Sequence, residues 1–504
     1  MLESLRGLGY STATALADLI DNSVAARASC VQVCFVWREA DSCIYVIDNG
    51  EGMNERQLDL AMRLGELSPL AHRKPTDLGR FGMGLKTASF SQCRRLTVAS
   101  VRQDSTGPQE RISPQEPSCL HWDLDVLDRN SDGRWHLMEG PGSGSEEAIK
   151  SLQGMASGTV VHWGVMDRIV TPGFTDQDFL DLIDRVEDHL AMVFHRYLAG
   201  PNPRLKILIN GRAVAPWDPF LLVNTATWRS PAERIVTDTG AIDIQCFVLP
   251  HRDRLDARLY ESAGGPEGWT AQQGFYVYRN QRLLVAGSWL GLGSGRPWTK
   301  EEGHRLARIR LDLPNTADVA WKIDIRKSTA RPPVSLRERL ARLAEDTRAR
   351  ARRVFAHRGQ VAVSGGNTQV TSAWKTVRSG DSLQYRIDED HPAIQMALQE
   401  AGPLQATVKA MLRVIEETVP VQRIWLDAAE SKEVARNNFS TSQPDEIATV
   451  MGAVYRNLLL YKDLSPARAR ERLLATEPFN QYPDLVEALP DDPGLLERHL
   501  PSDI

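Results

Sequence analysis

Three short motifs near the start of this 504-residue chain constrain its fold more than any other feature of the sequence. They occupy residues 17–23 (ADLIDNS), 48–53 (DNGEGM) and 79–86 (GRFGMGLK). Each combines carboxylate, carboxamide or lysine side chains with glycine or with helical apolar spacing. Any fold assigned to the chain must bring these polar groups to defined places on a helix, at a strand end and in a glycine-rich loop.

The first motif is predicted to lie on a helix. Ser11 or Thr12 can cap its N-terminus, and apolar residues then recur at helical spacing. Asp18 and Asn22 are four residues apart, so they lie on the same side of that helix. A carboxylate and a carboxamide so placed can share a water and a hard cation such as Mg²⁺, which prefers oxygen ligands. A solvated polar face is the other interpretation of this pair.

The second motif follows a predicted buried strand at 43–47, which an earlier strand at 31–36 precedes. Asp48 is therefore expected at a strand end, before two glycines that allow the backbone to approach a flat ligand closely. An ionised aspartate only accepts hydrogen bonds, which suits the exocyclic amine of adenine. An ordinary turn is the alternative interpretation.

The third motif is a glycine-rich loop that runs into an apolar segment beginning at Leu85. Such a loop can direct backbone N–H groups at phosphate oxygens at a helix N-terminus, and Lys86 adds a positive charge. The motif does not fit a dinucleotide-binding unit, which places its glycines directly after the first strand. Here a polar stretch, 68–77, precedes it.

Together the three motifs resemble the Bergerat ATP-binding fold shared by gyrase B subunits, MutL, heat-shock chaperone ATPases and histidine kinases. The resemblance implies ATP and Mg²⁺ as ligands, with Asn22 ligating Mg²⁺ and Asp48 binding adenine. It implies that the third motif forms a lid over the phosphates and that a threonine lies near the adenine. The further nucleotide contacts implied are Gly50, Gly52, Met53, Gly79, Arg80, Phe81, Gly82, Met83, Gly84, Leu85, Lys86 and Thr159.

Within that superfamily the first and third motifs and their flanks are most similar to the MORC ATPases and their bacterial relatives. One departure concerns the general base, which in the superfamily is a glutamate four residues before the asparagine. This chain has Asp18 there, one methylene shorter, so slow hydrolysis is expected and loss of hydrolysis is the alternative. Asp21 points about 100° away from Asn22 on the helix and suits the role less well.

Strand-like runs at 205–209, 242–249 and 274–278 follow, and a segment at 321–328 closes this region. The region resembles the transducer domain of gyrase B, MutL and MORC proteins, in which a lysine on a loop reaches the terminal phosphate. Lys327 is predicted to have that role, and Lys322 is its rival. A cation that arrives from another domain makes hydrolysis depend on domain closure.

The sequence therefore predicts an α+β protein with three domains. A Bergerat-type ATP-binding α/β sandwich is assigned to 1–170, a transducer α/β domain to 171–334 and a mostly helical interaction domain to 335–504. An arginine-rich helix at 336–358 has two interpretations. It could follow a phosphate backbone, or it could be a solvated amphipathic helix that packs through its leucines.

Composition limits the partners and the compartment. A net charge of −5 argues against a protein that is basic all over, so any nucleic-acid contact must be a local patch. The six cysteines lack metal-type spacing and are interpreted as reduced residues. We see no signal peptide and no long apolar run, so a cytoplasmic protein without membrane contact is expected.

The favoured function is an ATP-gated homodimer that clamps or remodels double-stranded DNA or recruits a defence-operon effector protein. The MORC resemblance implies bacterial restriction or antiphage defence as the setting. A MutL-like repair ATPase and a chaperone-like, protein-only ATP switch are the alternatives. A histidine kinase fits poorly, because so short a segment precedes the first helix.

Overall fold

A computed structural model describes residues 6–7, 9–63, 84–102, 116–129, 136–293, 295–324, 327, 329–356, 371–379, 382–420, 444–460 and 462–491. It divides the chain into two compact units, Met1–Gly359 and Gln360–Ile504. Both units contain helices and sheet, so the predicted α+β class is confirmed.

The first sheet of the first unit has eight strands. They are β1 (Cys30–Val36), β2 (Cys43–Asp48), β3 (Arg95–Val101), β4 (Ser118–Asp123), β5 (Met138–Glu139), β6 (Gly158–Gly164), β7 (Lys206–Ile209) and β8 (Arg212–Ala213). Their order is β5-β4-β3-β6-β2-β1-β7-β8, and the β1–β7 pair alone among these is parallel. The strands that carry the second motif and Thr159 are therefore neighbours at the middle of the sheet.

Seven helices accompany this sheet in the described residues. They are α1 (Thr12–Ala25), α2 (Glu55–Met62), α3 (Gly84–Phe90), α4 (Leu124–Arg129), α5 (Glu146–Lys150), α6 (Asp176–Val193) and α7 (His195–Leu198). Residues of β2 alternate between two cores, as the period of a strand requires. Ile44 and Val46 join the core that contains α1 and α6, whereas Tyr45 and Ile47 pack with Ala148 of α5.

A second sheet follows in the same unit. Its strands are β9 (Trp228–Arg229), β10 (Glu233–Thr237), β11 (Gly240–Val248), β12 (Gly274–Arg279), β13 (Arg282–Ser288) and β14 (Ala307–Leu313). The order is β10-β11-β14-β12-β13, with β9 paired to β11 and with β12 parallel to β14. Helix α8 (Ala257–Gly264) precedes β12, and helix α9 (Val334–Ala356) packs on the sheet beside β11 and β14.

The domain limits in the structure differ from those expected. The strand run at 205–209, assigned above to the transducer, is β7 of the first sheet and lies parallel to β1. The preceding helix α6 returns the chain to that sheet, because Phe179 and Val186 are buried in the same core as Ile207. At the other end, α9 is not part of the C-terminal unit, since its apolar side chains are buried in the core of the second sheet.

The arginine-rich helix packs as an amphipathic helix. Leu336 and Leu340 are buried on its inner face. Two of its arginines lie over tryptophan rings, with the Arg350 guanidinium 4.1 Å from the ring centre of Trp228 and that of Arg348 4.6 Å from Trp298. Cation–π contacts of this kind stabilise a packed helix. Other arginines of the helix remain exposed, so the phosphate-backbone interpretation concerns only those.

The second unit is mostly helical, as predicted. A hairpin of β15 (Trp374–Ser379) and β16 (Ser382–Ile387) precedes α10 (Pro392–Glu400), α11 (Gln405–Thr418), α12 (Pro444–Leu460), α13 (Pro466–Leu474) and α14 (Pro483–Glu487). Its core includes Val454, Tyr455, Leu473 and Phe479. Within the described ranges, no helix has both the length and the apolarity that crossing a membrane requires.

All six cysteines are free, and four of them are buried. Burial raises the pKa of Cys34, Cys43 and Cys246, and it raises the pKa of Cys119 to about 11. A raised thiol pKa lowers the fraction of reactive thiolate. Cys34, Cys43, Cys119 and Cys246 thus behave as the small apolar residues that the sequence indicates.

Candidate functional site

Helix α1 places two carboxylates inside the protein and a carboxamide at its surface. The helix begins at a Ser11 cap, whose Oγ accepts a hydrogen bond from the backbone N–H of Thr14 at 3.2 Å. Asp18 and Asp21 are buried, with 4% and 1% of their surfaces exposed, whereas Asn22 is exposed. The buried carboxylates need partners, because an isolated charge in the interior is costly.

Asp18 accepts one hydrogen bond from the segment just before α1 and one from a loop 309 positions later in the chain. Tyr10 donates its hydroxyl to Asp18 Oδ2 at 3.1 Å, and Lys327 donates from Nζ to Oδ1 at 2.9 Å. Lys327 lies in the loop after the second sheet, whereas its rival Lys322 is exposed. The structure therefore brings together the two residues predicted as catalytic, one on helix α1 and one on the loop after the second sheet.

Asp21 forms a second, deeper ion-pair cluster. Arg282, the first residue of β13, donates from Nε to both carboxylate oxygens at 3.2 and 3.1 Å, and Lys327 also bonds to Oδ2. Burial by itself would raise the pKa of Asp21, but the charges of Arg282 and Lys327 hold it below its ordinary value. From the sequence alone, Asp21 is only a less suitable base and Arg282 has no predicted role.

Asp48 stands at the end of β2, as predicted, and is buried. Ser23 donates its hydroxyl to Oδ2 at 2.8 Å, and the Gly50 backbone N–H donates to Oδ1 at 2.9 Å. Burial raises the pKa of Asp48, although these hydrogen bonds oppose the shift. A backbone hydrogen bond from Thr159 also reaches this carboxylate, so one of its four lone-pair sites can still accept a hydrogen bond from a ligand amine. Ser23 ends the first motif, and its link to Asp48 was not predicted.

The glycines of the second motif meet a packing requirement of the chain itself. Gly52 has a φ of +66°, and a Cβ there would lie 1.9 Å from the carbonyl oxygen of Val101. The next residue, Met53, donates its backbone N–H to Ser100 Oγ at 2.8 Å. Ser100 in turn lies 2.9 Å from the hydroxyl of Thr159, which faces Asp48 across the β2–β6 pair. The second motif and Thr159 thus belong to one hydrogen-bonded cluster at the ends of neighbouring strands.

The third motif is only partly within the described residues. Gly79, Arg80, Phe81, Gly82 and Met83 lie outside them, whereas Gly84, Leu85 and Lys86 begin α3.

Lys86 is buried in the structure. Its Nζ donates to the carbonyl of Ala61 at 3.1 Å and to that of Arg63, at the C-terminal end of α2. A cation at that end is favoured by the free carbonyls and the helix dipole. The structure therefore places the ammonium of Lys86 against the C-terminal end of α2, and its contact with a phosphate stays a prediction.

The donor set on α1 fits Mg²⁺ bound mainly through substrate. Asn22 offers one exposed carboxamide oxygen, one turn beyond Asp18. Mg²⁺ keeps several waters and is usually bound through one or two protein groups together with phosphate oxygens. Within the described part of the chain, no group of three or more His, Cys, Asp or Glu residues is arranged to hold a metal.

The structure thus places a buried carboxylate beside two glycines at a strand end, next to a helix that carries a second carboxylate and a carboxamide. Residues 10–159 match the family model described as "Histidine kinase-, DNA gyrase B-, and HSP90-like ATPase". This segment is a GHKL-type ATPase domain. It contains every residue discussed above on α1 and in the second motif, and Arg282 and Lys327 lie beyond it.

Solved structures also resemble this chain. The ATPase and transducer domains of DNA topoisomerase II from Balamuthia mandrillaris are 12% identical, and the match covers 68% of this chain and 84% of that one with a TM-score of 0.36. No curated protein matches the sequence.

Proposed function

We propose that this chain is a Mg²⁺-dependent, MORC-like ATPase in which Lys327 couples the nucleotide to the second sheet. The observation that carries this proposal is the hydrogen bond between Lys327 Nζ and Asp18 Oδ1, at 2.9 Å. It joins the position of the general base to a loop that lies outside the ATPase domain of residues 10–159. A contact of this kind lets the state of the base depend on the position of the second sheet.

The residues divide the work of ATP hydrolysis. Asp48, with Thr159 beside it, accepts a hydrogen bond from the exocyclic amine of adenine. The carboxamide oxygen of Asn22 is the protein ligand for Mg²⁺. Asp18 accepts a proton from the attacking water as the oxygen bonds to the terminal phosphorus and the bond to the ADP oxygen breaks. Mg²⁺, when bound, neutralises charge on the phosphate oxygens.

Lys327 has two alternative partners in this scheme. While its ammonium stays on Asp18, it occupies the Oδ1 atom that would otherwise be open to the attacking water. When Lys327 moves to the terminal phosphate, it stabilises the charge there and releases Asp18 to accept a proton. One displacement thus activates both the base and the electrophile.

The wider role proposed is that of a homodimer that clamps or remodels double-stranded DNA or recruits an effector, in bacterial restriction or antiphage defence. Exposed arginines on α9, such as Arg337, Arg352 and Arg353, provide a local positive surface on a chain of net negative charge. Phosphate contacts through such residues would give binding that weakens with salt and shows little sequence preference.

The first test measures binding and turnover separately. Asn22→Ala should lose Mg²⁺-ATP binding, whereas Asp18→Ala should bind ATP but not hydrolyse it. Lys327→Met should lose turnover, while Lys322→Met, which alters the rival lysine on the same segment, should retain it. Normal ATP affinity in Asn22→Ala would remove the pocket assignment.

Turnover should then be measured with and without double-stranded DNA at low and moderate salt. Stimulation that fades with salt would support the DNA-coupled clamp. Turnover indifferent to DNA at both salt concentrations would contradict that part of the proposal and favour a protein-only switch.

A further inference from the structure

A cavity of about 880 Å³ lies in the first unit, at the N-terminal end of α1. Its walls come from the segment that leads into α1, from one side of α6 and from the chain before β12. Part of its lining is apolar and includes Leu182, Met192, Ala271 and Ala286. A space of this size and mixed lining is typical of sites for small organic molecules.

The charged side chains around this cavity are mainly basic. They are Arg6, Arg168, Arg185 and Lys300, against Asp188 and Glu267. Arg6 is already paired with Asp167. By contrast, Arg168 and Arg185 form no ion pair within the described part of the chain, so their charges remain available to an anion.

A fifth cation, Arg308, adds to the positive electrostatic potential at Lys300. Arg308 is fully buried, and its Nε and Nη2 atoms have no hydrogen-bond partner among the described residues. Burial lowers the pKa of Lys300, and the Arg308 guanidinium lowers it further against the opposing charge of Glu267. A ligand anion near Lys300 would offset charge that the protein itself leaves uncompensated.

One wall of the cavity is connected to the general base. Tyr10 lines the cavity and donates its hydroxyl to Asp18. Gln92, another lining residue, bonds the Tyr10 carbonyl at 3.2 Å and accepts from the Thr12 hydroxyl at 2.8 Å. The residue that orients Asp18 is thus held by groups that a ligand in the cavity would touch.

We propose that this cavity binds an amphiphilic organic anion, with a phosphate or carboxylate head on Arg168, Arg185 and Lys300 and an apolar body along α6. Occupancy then fixes Tyr10 and so the orientation of Asp18. The effect on turnover depends on the function proposed above, whereas ligand binding itself does not.

The test uses the full chain and 8-anilinonaphthalene-1-sulfonate, an apolar organic anion whose fluorescence rises in an apolar site. Titrations are run with the nucleotide pocket saturated by a non-hydrolysable ATP analogue. Arg185→Glu and Lys300→Glu, both at exposed positions, should each weaken binding by about fivefold or more. Arg212→Glu, an exposed change on β8, should leave binding unchanged.

Two competition arms then identify the head group. Phenyl phosphate and octanoate are each titrated against the bound dye, and displacement by one of them assigns a phosphate or a carboxylate head. The uncharged dye N-phenyl-1-naphthylamine should bind with lower affinity than the sulfonate. Equal affinity for the two dyes, or affinity for the sulfonate that neither charge reversal changes, would overturn the proposal, as would failure of both competitors.

A final arm measures the link to Asp18. At a saturating concentration of the successful competitor, ATP turnover of the wild type should change, and turnover of Tyr10→Phe should respond less. Dye binding without any effect on turnover would support the cavity as a binding site and reject the proposed link between that site and Asp18. Absence of ATP turnover both with and without the competitor would contradict the proposed function. It would not affect the conclusion about ligand binding in the cavity.

Discussion

Substituting Asn for Asp18 and for Asp21 should separate a catalytic carboxylate from a structural one. The two residues lie on the same helix, are both buried and share Lys327 as a partner. Asp21 also forms an ion pair with Arg282, whose side chain is 3% exposed. The variants therefore differ in what they leave unpaired, although the chemical change is the same.

The expected losses in free energy of unfolding follow from those partners. In Asp21→Asn the Arg282 guanidinium loses both of its hydrogen bonds to a carboxylate and keeps only the longer ion pair with Asp18, at 3.9 Å, and breaking a buried pair costs about 3–5 kcal/mol. In Asp18→Asn the Lys327 ammonium keeps Asp21, and Tyr10 can still donate to the new carboxamide oxygen. That variant should lose only about 1 kcal/mol, the value of a typical hydrogen bond.

Turnover should show the opposite order. Removal of a general base lowers the rate by about 10²- to 10⁴-fold, so Asp18→Asn should lose nearly all activity while remaining folded. Asp21→Asn should lose activity only to the extent that Arg282 and Lys327 are displaced.

The assay is urea unfolding of each variant beside steady-state ATP hydrolysis of the same preparation. Asp238→Asn, at an exposed position, controls for the loss of a negative charge. If Asp18→Asn destabilised the protein as much as Asp21→Asn, or if Asp21→Asn unfolded at the wild-type urea concentration, the assignment of separate roles would be refuted.

Two further predictions concern stability. Gly52→Ala should cost more than about 2 kcal/mol, because φ is +66° and the new Cβ would overlap Val101, whereas Gly173→Ala at φ +89° in open space should cost about 1 kcal/mol; equal urea midpoints for the two variants would contradict this reasoning. Burial lowers the pKa of His162 from its ordinary 6.5 to about 4, and both ring nitrogens lack partners among the described residues. The unfolded chain therefore binds the proton more readily between those pH values, so stability should fall with decreasing pH from 6.5 by up to about 3 kcal/mol. His162→Phe should flatten that slope in urea titrations at pH 7 and pH 5, and an unchanged slope would contradict the assignment.

Local patterns in the sequence were sufficient for several parts of the fold. The spacing of apolar residues predicted the helices at 404–417 and 444–461, and the structure has them at Gln405–Thr418 and Pro444–Leu460. Asp48 was placed at a strand end because an apolar run stops there and glycines follow. These features depend on residues a few positions apart, which is the range over which periodicity and capping act.

Features that depend on distant pairing could not be predicted in the same way. The run at 205–209 was recognised as a strand, but nothing in its own residues indicates that it lies beside β1. Arg282 meets Asp21 across 261 positions of sequence, and a buried pair of this kind leaves no local pattern. Lys86 is a further example. Its charge can be read from the sequence, but the carbonyl groups of α2 that it contacts cannot.

The two cations at the site differ in the freedom that the proposed cycle requires of them. Arg282 is the first residue of a strand in the second sheet, is almost fully buried and bonds both oxygens of Asp21, so moving it would break a paired charge in the interior. Lys327 lies on a loop, is more exposed and divides its donors between two carboxylates. When it leaves, Asp21 still has Arg282, and Asp18 becomes free to act as a base. The arrangement therefore lowers the free-energy cost of the movement that the proposed hydrolysis cycle requires, because Arg282 keeps the deeper carboxylate paired.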